Sequence, residues 1–306
     1  MISPVPVPAP NVRPTILIVG TGLLGGSLGR ALKRSGFAGL LRGLDDPEVL
    51  AQALALGAID EAAADLADGV QTADLIVLAT PVATVLDLLP KVVALAPPGA
   101  LFTDTGSTKV QIMERAAALL GSRADRFLGG HPMAGNAAGG IAASDPQLFR
   151  GRRWLFCPPS GSAIPPAFQW YLDLLATIGA LPLTLAAQDH DRALAALSHL
   201  PQLLATALAA VLYDRFLGPR PEFPPELLRA AGPGVADMTR LAASPYSVWR
   251  DILLTNSREI TGALELLQAE LDHLRLHLRD RETESRFREA AVLQRRLSAA
   301  LAGEAP

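Results

Sequence analysis

Apolar residues along this chain fall into two textures. Over the first 185 residues, short solid runs alternate with longer stretches at helical spacing. TILIV (15–19) is an unbroken β-rich run that ends in glycine, as a strand covered on both faces requires. GTGLLGGSLGRALKRSG follows at helical spacing and stops at Gly36. LLRGLD (40–45) predicts a second strand. PEVLAQALALG predicts a second helix, with Pro47 near its first turn and Gly57 past its end. ADLIVLATP (73–81) and GALFTDTG (99–106) predict further strands, each followed by a helix, PVATVLDLLPKVVAL and STKVQIMERAAALLG. RFLGGHP predicts a strand and its turn, and RRWLFCPP and ALPLTLAA two late strands. Strands alternating with helices imply parallel βαβ units, hence an α/β fold with a doubly wound, mostly parallel sheet.

From Asp189 the texture changes. DHDRALAALSHLPQLLATALAAVLYDRF is strongly apolar at helical spacing, and PELLRAAG, PYSVWRDILLTN and the remainder also read as helices. The expected division is therefore an α/β domain over 15–185 and an all-helical C-terminal domain over 186–306. In the last helix, Leu264, Leu267, Leu271, Leu274 and Leu278 follow a 3-4-3-4 spacing. That is a coiled-coil seam, and it favours a homodimer through the helical domain. RDRETESRFRE (279–289) reads as a solvated face. No internal repeat is evident.

Composition narrows the class. Half of the 306 residues are apolar, enough for a large core. A net charge of -3 gives no electrostatic reason to expect nucleic acid. The one cysteine, Cys157, excludes an internal disulfide framework and fits a reducing compartment. No uninterrupted apolar run approaches the roughly 18 residues that span a bilayer, so no membrane partner is expected. MISPVPVPAPNVRP lacks the features of a secretory signal, and its prolines suggest a disordered lead-in over 1–14. The cytoplasm is the expected location.

The loop after the first strand carries candidate chemistry. Gly20, Gly22 and Gly25 form GxGxxG between a strand and a helix, with Leu23 and Leu24 inside the loop. Gly20 permits the tight turn, Gly22 admits a pyrophosphate, and Gly25 permits close packing of helix on strand. The helix N-terminus then offers N–H groups to the phosphates. Asp45 ends the second strand about 20 residues on, where a ribose-binding carboxylate belongs. It would bind the 2′- and 3′-hydroxyls and repel a 2′-phosphate. Asp46 adds charge of the same sign, although Arg42 is near in sequence. The domain is thus expected to be Rossmann-type, with NAD favoured over NADP as cofactor. Thr80 and Ser107 close the third and fourth strands, on the side where ligands bind, though either could instead cap the helix that follows; for Thr80 capping is the favoured reading.

Four segments carry a family resemblance. GGHPMAG (129–135), DTGSTK (104–109), HDRALAALSHLP (190–201) and DMTRLAASPYSVWRDILLTN (237–256) together resemble the prephenate/arogenate dehydrogenases, the TyrA-type enzymes of tyrosine biosynthesis. The resemblance spans residues 15 to about 260. It implies NAD-dependent oxidative decarboxylation of prephenate or arogenate. Hydride leaves ring C4, the ring carboxylate leaves as carbon dioxide, and an aromatic phenol remains. By resemblance, His131 accepts from the 4-hydroxyl, Ser107 touches the same hydroxyl and the nicotinamide region, and Arg240 binds a substrate carboxylate. A neutral imidazole, with an ordinary pKa of about 6.5, suits such a base. A guanidinium fork suits a carboxylate. The glycines around His131 are expected to form a turn that presents the ring with little bulk. Lys109 comes with its motif, and a solvated lysine is an equal reading. Arg250 is expected to be structural, tied to Asp251.

Asp191, Ser198 and Gln202 are spaced by seven and four residues, roughly one helical face, with Ser198, Gln202 and His190 as substrate-binding candidates. His199 reads either as a motif residue or as a packed polar group. Pro201 leaves the carbonyl of Leu197 without its usual partner, which predicts a kink near the cleft. Many prephenate-using members follow SHLP with a second histidine; here Gln202 stands there, which leaves arogenate, or both substrates, open. His273 and His277 are four apart on a helix, a spacing that can hold a metal. No third donor is evident, so no metal is expected. Two other classes compete: another two-domain oxidoreductase, such as a β-hydroxyacid dehydrogenase or imine reductase, and a cofactor-sensing protein without catalysis. The tail after residue 280 looks too short and polar for a regulatory module, and no chorismate mutase segment precedes the first strand.

Overall fold

The structure, a computed structural model, describes residues 13–135, 139–161 and 163–302. The expected lead-in lies almost wholly outside the described residues. By compactness the chain divides into two units, one ending at Ser257 and the other beginning at Arg258.

The first unit is built on one eight-stranded sheet in the order β3-β2-β1-β4-β5-β6-β7-β8. The strands are β1 (Thr15–Val19), β2 (Leu40–Leu44), β3 (Glu61–Ala62), β4 (Leu75–Leu78), β5 (Leu101–Asp104), β6 (Phe127–Pro132), β7 (Arg153–Cys157) and β8 (Leu181–Thr184). Every pairing is parallel except β6 with β7. The expected mostly parallel, doubly wound sheet is what forms. The two-residue β3 carries no periodicity and escaped the sequence.

Period-two alternation sorts the strand side chains into two cores. Ile16, Ile18, Leu75 and Val77 enter one, with Leu28 and Leu32 of α1 (Leu23–Arg34). Leu17, Val19, Ile76 and Leu78 enter the other. There they meet α3 (Leu66–Gln71), α4 (Val82–Leu95) and α5 (Val110–Leu120) through Val70, Val85, Leu89, Val92, Ile112 and Leu120. The central strands are therefore apolar throughout, which is why they read as solid runs. The remaining helices of this half are α2 (Pro47–Ala55) and α6 (Gln169–Thr177). α3 and α6 were not foreseen.

Past residue 186 the described chain is helical. α7 (Ala187–Leu194) passes through a π turn, Ala195–His199, into α8 (Leu200–Phe216). The expected disturbance at Pro201 thus takes the form of a π turn just before it. By length and apolar composition the continuous helix Ala187–Phe216 could cross a membrane. A core or interface helix has the same character. PELLRAAG forms only a 3₁₀ segment, Pro225–Ala230. Two shorter helices follow, α9 (Pro233–Thr239) and α10 (Tyr246–Thr255).

The second unit is a pair of helices, α11 (Ser257–Leu276) and α12 (Arg281–Ala302). The sequence read them as one. Leu264, Leu267, Leu271 and Leu274 lie on α11, but Leu278 falls in the turn beyond it.

Candidate active site

His131 is an ordered strand residue. It sits near the end of β6, opposite Leu155 of β7. The expected glycine turn is thereby corrected. The glycines before it are needed for space: a methyl group on Gly130 would lie 2.5 Å from the backbone oxygen of Asp104, and one on Gly129 2.7 Å from the sulfur of Met113. Asn136 and its two successors lie outside the described residues.

The half-buried His131 ring is held from behind. Its Nδ1 is 2.9 Å from Nε2 of His190, whose own Nδ1 is 2.8 Å from Oδ1 of Asp191. Asp191 is fixed in turn. Its carboxylate accepts from the backbone N–H groups of Lys109 and Val110, at 2.7 and 2.9 Å, at the N-terminus of α5. A carboxylate so placed accepts the proton of His190 Nδ1, and His190 Nε2 then accepts from His131 Nδ1. The free Nε2 of His131 is left as an acceptor. Burial, followed by the nearby His190, Lys109 and His199, holds the His131 pKa well below the ordinary histidine value. Burial also depresses His190, opposed by its bond to Asp191.

In front of His131 lies a cavity of about 820 Å³ lined by Ser107, His131, Ser198, His199, Gln202, Arg240 and Trp249, among others. Four sequence-chosen residues, Ser107, Ser198, Gln202 and Arg240, thus share one cavity wall with His131. Arg240 is exposed, at the end of α9. Gln202 is buried, and its amide nitrogen donates to the carbonyl of Leu241 at 2.9 Å. His199 is buried and accepts from Asn256, 3.3 Å away, and its pKa is pushed down to about 4, chiefly by burial.

Three expectations fail here. His190 is fully buried behind His131 and does not line the cavity, so it is not a substrate contact. Asp191 does not share a face with Ser198 and Gln202, because the π turn between them adds a residue to one turn and rotates the faces apart. Lys109 is not solvated: it is fully buried and its Nζ contacts the carboxylate of Asp104. The sequence missed that Asp104, whose carboxylate also takes the N–H groups of Gly106 and Gly130 at 2.8 and 3.1 Å. Its place in DTGSTK was the available signal.

The comparisons with known proteins bear on this geometry. A model of the prephenate dehydrogenase nucleotide-binding domain matches residues 28–181, and one of the prephenate dehydrogenase dimerization domain matches 186–292. The chain belongs to the prephenate dehydrogenase family. Membership makes it an NAD-dependent oxidoreductase of tyrosine biosynthesis, of the prephenate/arogenate dehydrogenase type. It is 33% identical to the prephenate dehydrogenase of Bacillus subtilis over 283 residues, covering 91% of this chain and 74% of that one. It superposes with a TM-score of 0.83 on the prephenate dehydrogenase of A. aeolicus solved with hydroxyphenyl propionate and NAD+, at 30% identity over 94% of this chain and all of that one. The Synechocystis arogenate dehydrogenase gives a TM-score of 0.74 at 28% identity, over 94% and 98%.

The dinucleotide loop of this family member has the expected spacing and room. Gly20 adopts φ +90°, and a methyl group on Gly25 would sit 1.9 Å from the Gly20 carbonyl oxygen. At Gly22 nothing lies within 4 Å of where a side chain would begin, and the first turn of α1 holds no acidic residue. Asp45 follows β2 and accepts from the N–H of Thr21 at 2.6 Å. Arg42 turns away from it: it is buried and bonded to Asp68 at 2.6 Å and Thr72 at 2.9 Å. Thr80 does not cap α4, because the N-cap there is Pro81 and the N–H of Ala83 bonds to Asp251 at 2.9 Å. The Thr80 hydroxyl is buried without a hydrogen-bond partner among the described residues. Ser107 is likewise not the N-cap of α5, which is Lys109. Arg250 pairs with Asp251 at 3.1 Å, as expected of a structural arginine.

Proposed function

We propose that this chain binds NAD+ in preference to NADP+ and oxidises a 4-hydroxycyclohexadiene carboxylate with His131 as base. Gly20, Gly22, Leu23, Leu24 and Gly25 hold the pyrophosphate over the N-terminus of α1, Asp45 holds the adenosine ribose, and Thr80 lies beside the dinucleotide. The bound dinucleotide supplies the hydride acceptor. His131 Nε2 takes the 4-hydroxyl proton as the C4–H bond breaks, with Ser107 donating to the same oxygen. The ring carboxylate then leaves as carbon dioxide, and the electron pair it leaves completes the aromatic ring. The resulting phenolate recovers its proton from His131, so the step is balanced without a net base. Arg240 binds a substrate carboxylate, and Ser198 borders the ring. The observation that carries this reading is the hydrogen-bonded line from His131 through His190 to Asp191, which leaves one acceptor nitrogen beside the cavity.

Gln202 supports arogenate as the better substrate. Its amide nitrogen is engaged by Leu241, so its oxygen is the group left over, and an acceptor suits an ammonium rather than a keto oxygen. Steady-state rates with prephenate and arogenate, each with NAD+ and NADP+, test both preferences. Arogenate with NAD+ is expected to give the highest kcat/KM. Turnover with neither substrate rejects the reading, and a higher rate with NADP+ rejects the role of Asp45.

The functional division lies near residue 185, with the cofactor before it and the substrate-binding helices after it. The active molecule is a homodimer in the cytoplasm. Large apolar side chains stand exposed on α8 (Val211, Tyr213) and on α11 (Leu266, Leu271, Leu276), and surface of this kind calls for a partner. Sedimentation at micromolar concentration is expected to give twice the chain mass; a monomer refutes the dimer.

A further inference from the structure

We propose that the turn between α11 and α12 carries a site for a divalent transition metal of the zinc type, made by His273, His277 and Glu282. His273 lies in the last turn of α11 and His277, four residues on, just past the helix end, with ring centroids 4.6 Å apart. The chain then reverses, and the first turn of α12 returns Glu282 to the two rings. The third donor that sequence spacing lacked is therefore present. One carboxylate oxygen, Oε2 of Glu282, lies 3.7 Å from Nε2 of His273 and 3.7 Å from Nδ1 of His277. All three donor atoms fall within 4.8 Å of one another.

A simple ion pair would need one ring; here one oxygen faces a nitrogen from each. A tetrahedral zinc ion with ligands near 2.1 Å holds its donors about 3.4 Å apart. Rotation of these part-exposed side chains closes that difference. Asp280, whose Oδ2 is 2.9 Å from His277 Nδ1, supplies a second carboxylate at the rim, available as a fourth ligand in place of water. Two imidazoles with carboxylates select zinc, cobalt or nickel over magnesium and calcium, which prefer all-oxygen sites. The hairpin is already shaped without metal, because Arg286 of α12 reaches Glu270 of α11 at 3.2 Å. None of these residues belongs to the dehydrogenase site. Bound metal would join residues 273 and 282 and stiffen the turn.

The test uses the full chain without a histidine tag, stripped with a chelator and titrated with Co2+ under visible absorption and calorimetry. One Co2+ per chain is expected, displaced by Zn2+ and indifferent to millimolar Mg2+. Glu282→Gln is expected to weaken binding by at least about tenfold, the lower end of what even an outer partner contributes. The double variant His273→Gln, His277→Gln is expected to abolish it. Both should keep wild-type dehydrogenase rates and melting temperature in chelator, which shows that they fold. Absence of saturable Co2+ binding overturns the proposal, as does unchanged affinity in Glu282→Gln or binding that survives in the double variant.

Discussion

His131 combines two properties that usually conflict. Its depressed pKa keeps it neutral and able to accept a proton, yet the same burial penalises the imidazolium it must become. The Asp191 carboxylate, hydrogen-bonded to His190 behind it, offsets that penalty at the moment of transfer. A profile of kcat/KM against pH should therefore stay level as pH falls through 6.5 and decline only below it; an acid limb at or above the ordinary value of about 6.5 would contradict this. Asp191→Asn should remove much of the ~10²–10⁴ that a positioned base contributes to kcat, with KM little changed, and His131→Asn should do the same. Full turnover in Asp191→Asn would reduce the line of residues to packing. Its melting temperature separates this from loss of the α5 cap. The sequence made His131, Ser107, Arg240, Ser198 and Gln202 legible through their motifs. It could not reveal what Asp191 does, because its backbone partners lie 82 and 81 residues away and no local pattern encodes them.

Elements were legible where one physical cause dominated. β1, β4 and β5 are buried on both faces, so their apolar runs stood out. β3 and α3 are short and held by partners, such as the Arg42–Asp68 pair, that periodicity does not register. Two helix starts are closed from afar: α4 by Asp251 and α5 by Asp191. The π turn in the Ala187–Phe216 helix undid a face that ideal helical spacing had assembled. The glycines of β6 show the opposite case, a correct residue with the wrong reason. Gly130 is required because β5 runs so close that a methyl group meets the Asp104 backbone oxygen, which cannot move as a side chain can. Gly130→Ala is thus expected to destabilise by about 1–3 kcal/mol or more, as overpacked cores do. It should also lower kcat by shifting His131. Denaturant midpoint and turnover measured on one preparation check both, and a variant as stable as the parent would show that the two strands separate easily.

At the scale of the molecule, this polar interior has a consequence for acid stability. His199 is buried with its pKa pushed to about 4, and burial depresses His131 and His190 as well. In the unfolded chain each returns to about 6.5. Between those values the unfolded state binds protons that the folded state refuses, so stability rises with pH there. The contribution is fully present above about 6.5 and is lost as pH falls toward the folded values. For His199 alone the gap corresponds to about 3 kcal/mol by pH 4, a large share of an ordinary protein's 5–15 kcal/mol. Asp68 adds loss in the same direction but at lower pH, since the backbone N–H of Ala64 and then Arg42 hold its carboxyl below the usual range. The melting temperature should stay level from pH 8 to 7 and fall steadily below about 6.5. His199→Gln should shallow that slope by about one proton per chain, because one refused proton is gone. A melting temperature constant down to pH 5 would mean that these imidazoles are solvated in solution, and the argument for a neutral His131 would fall with them.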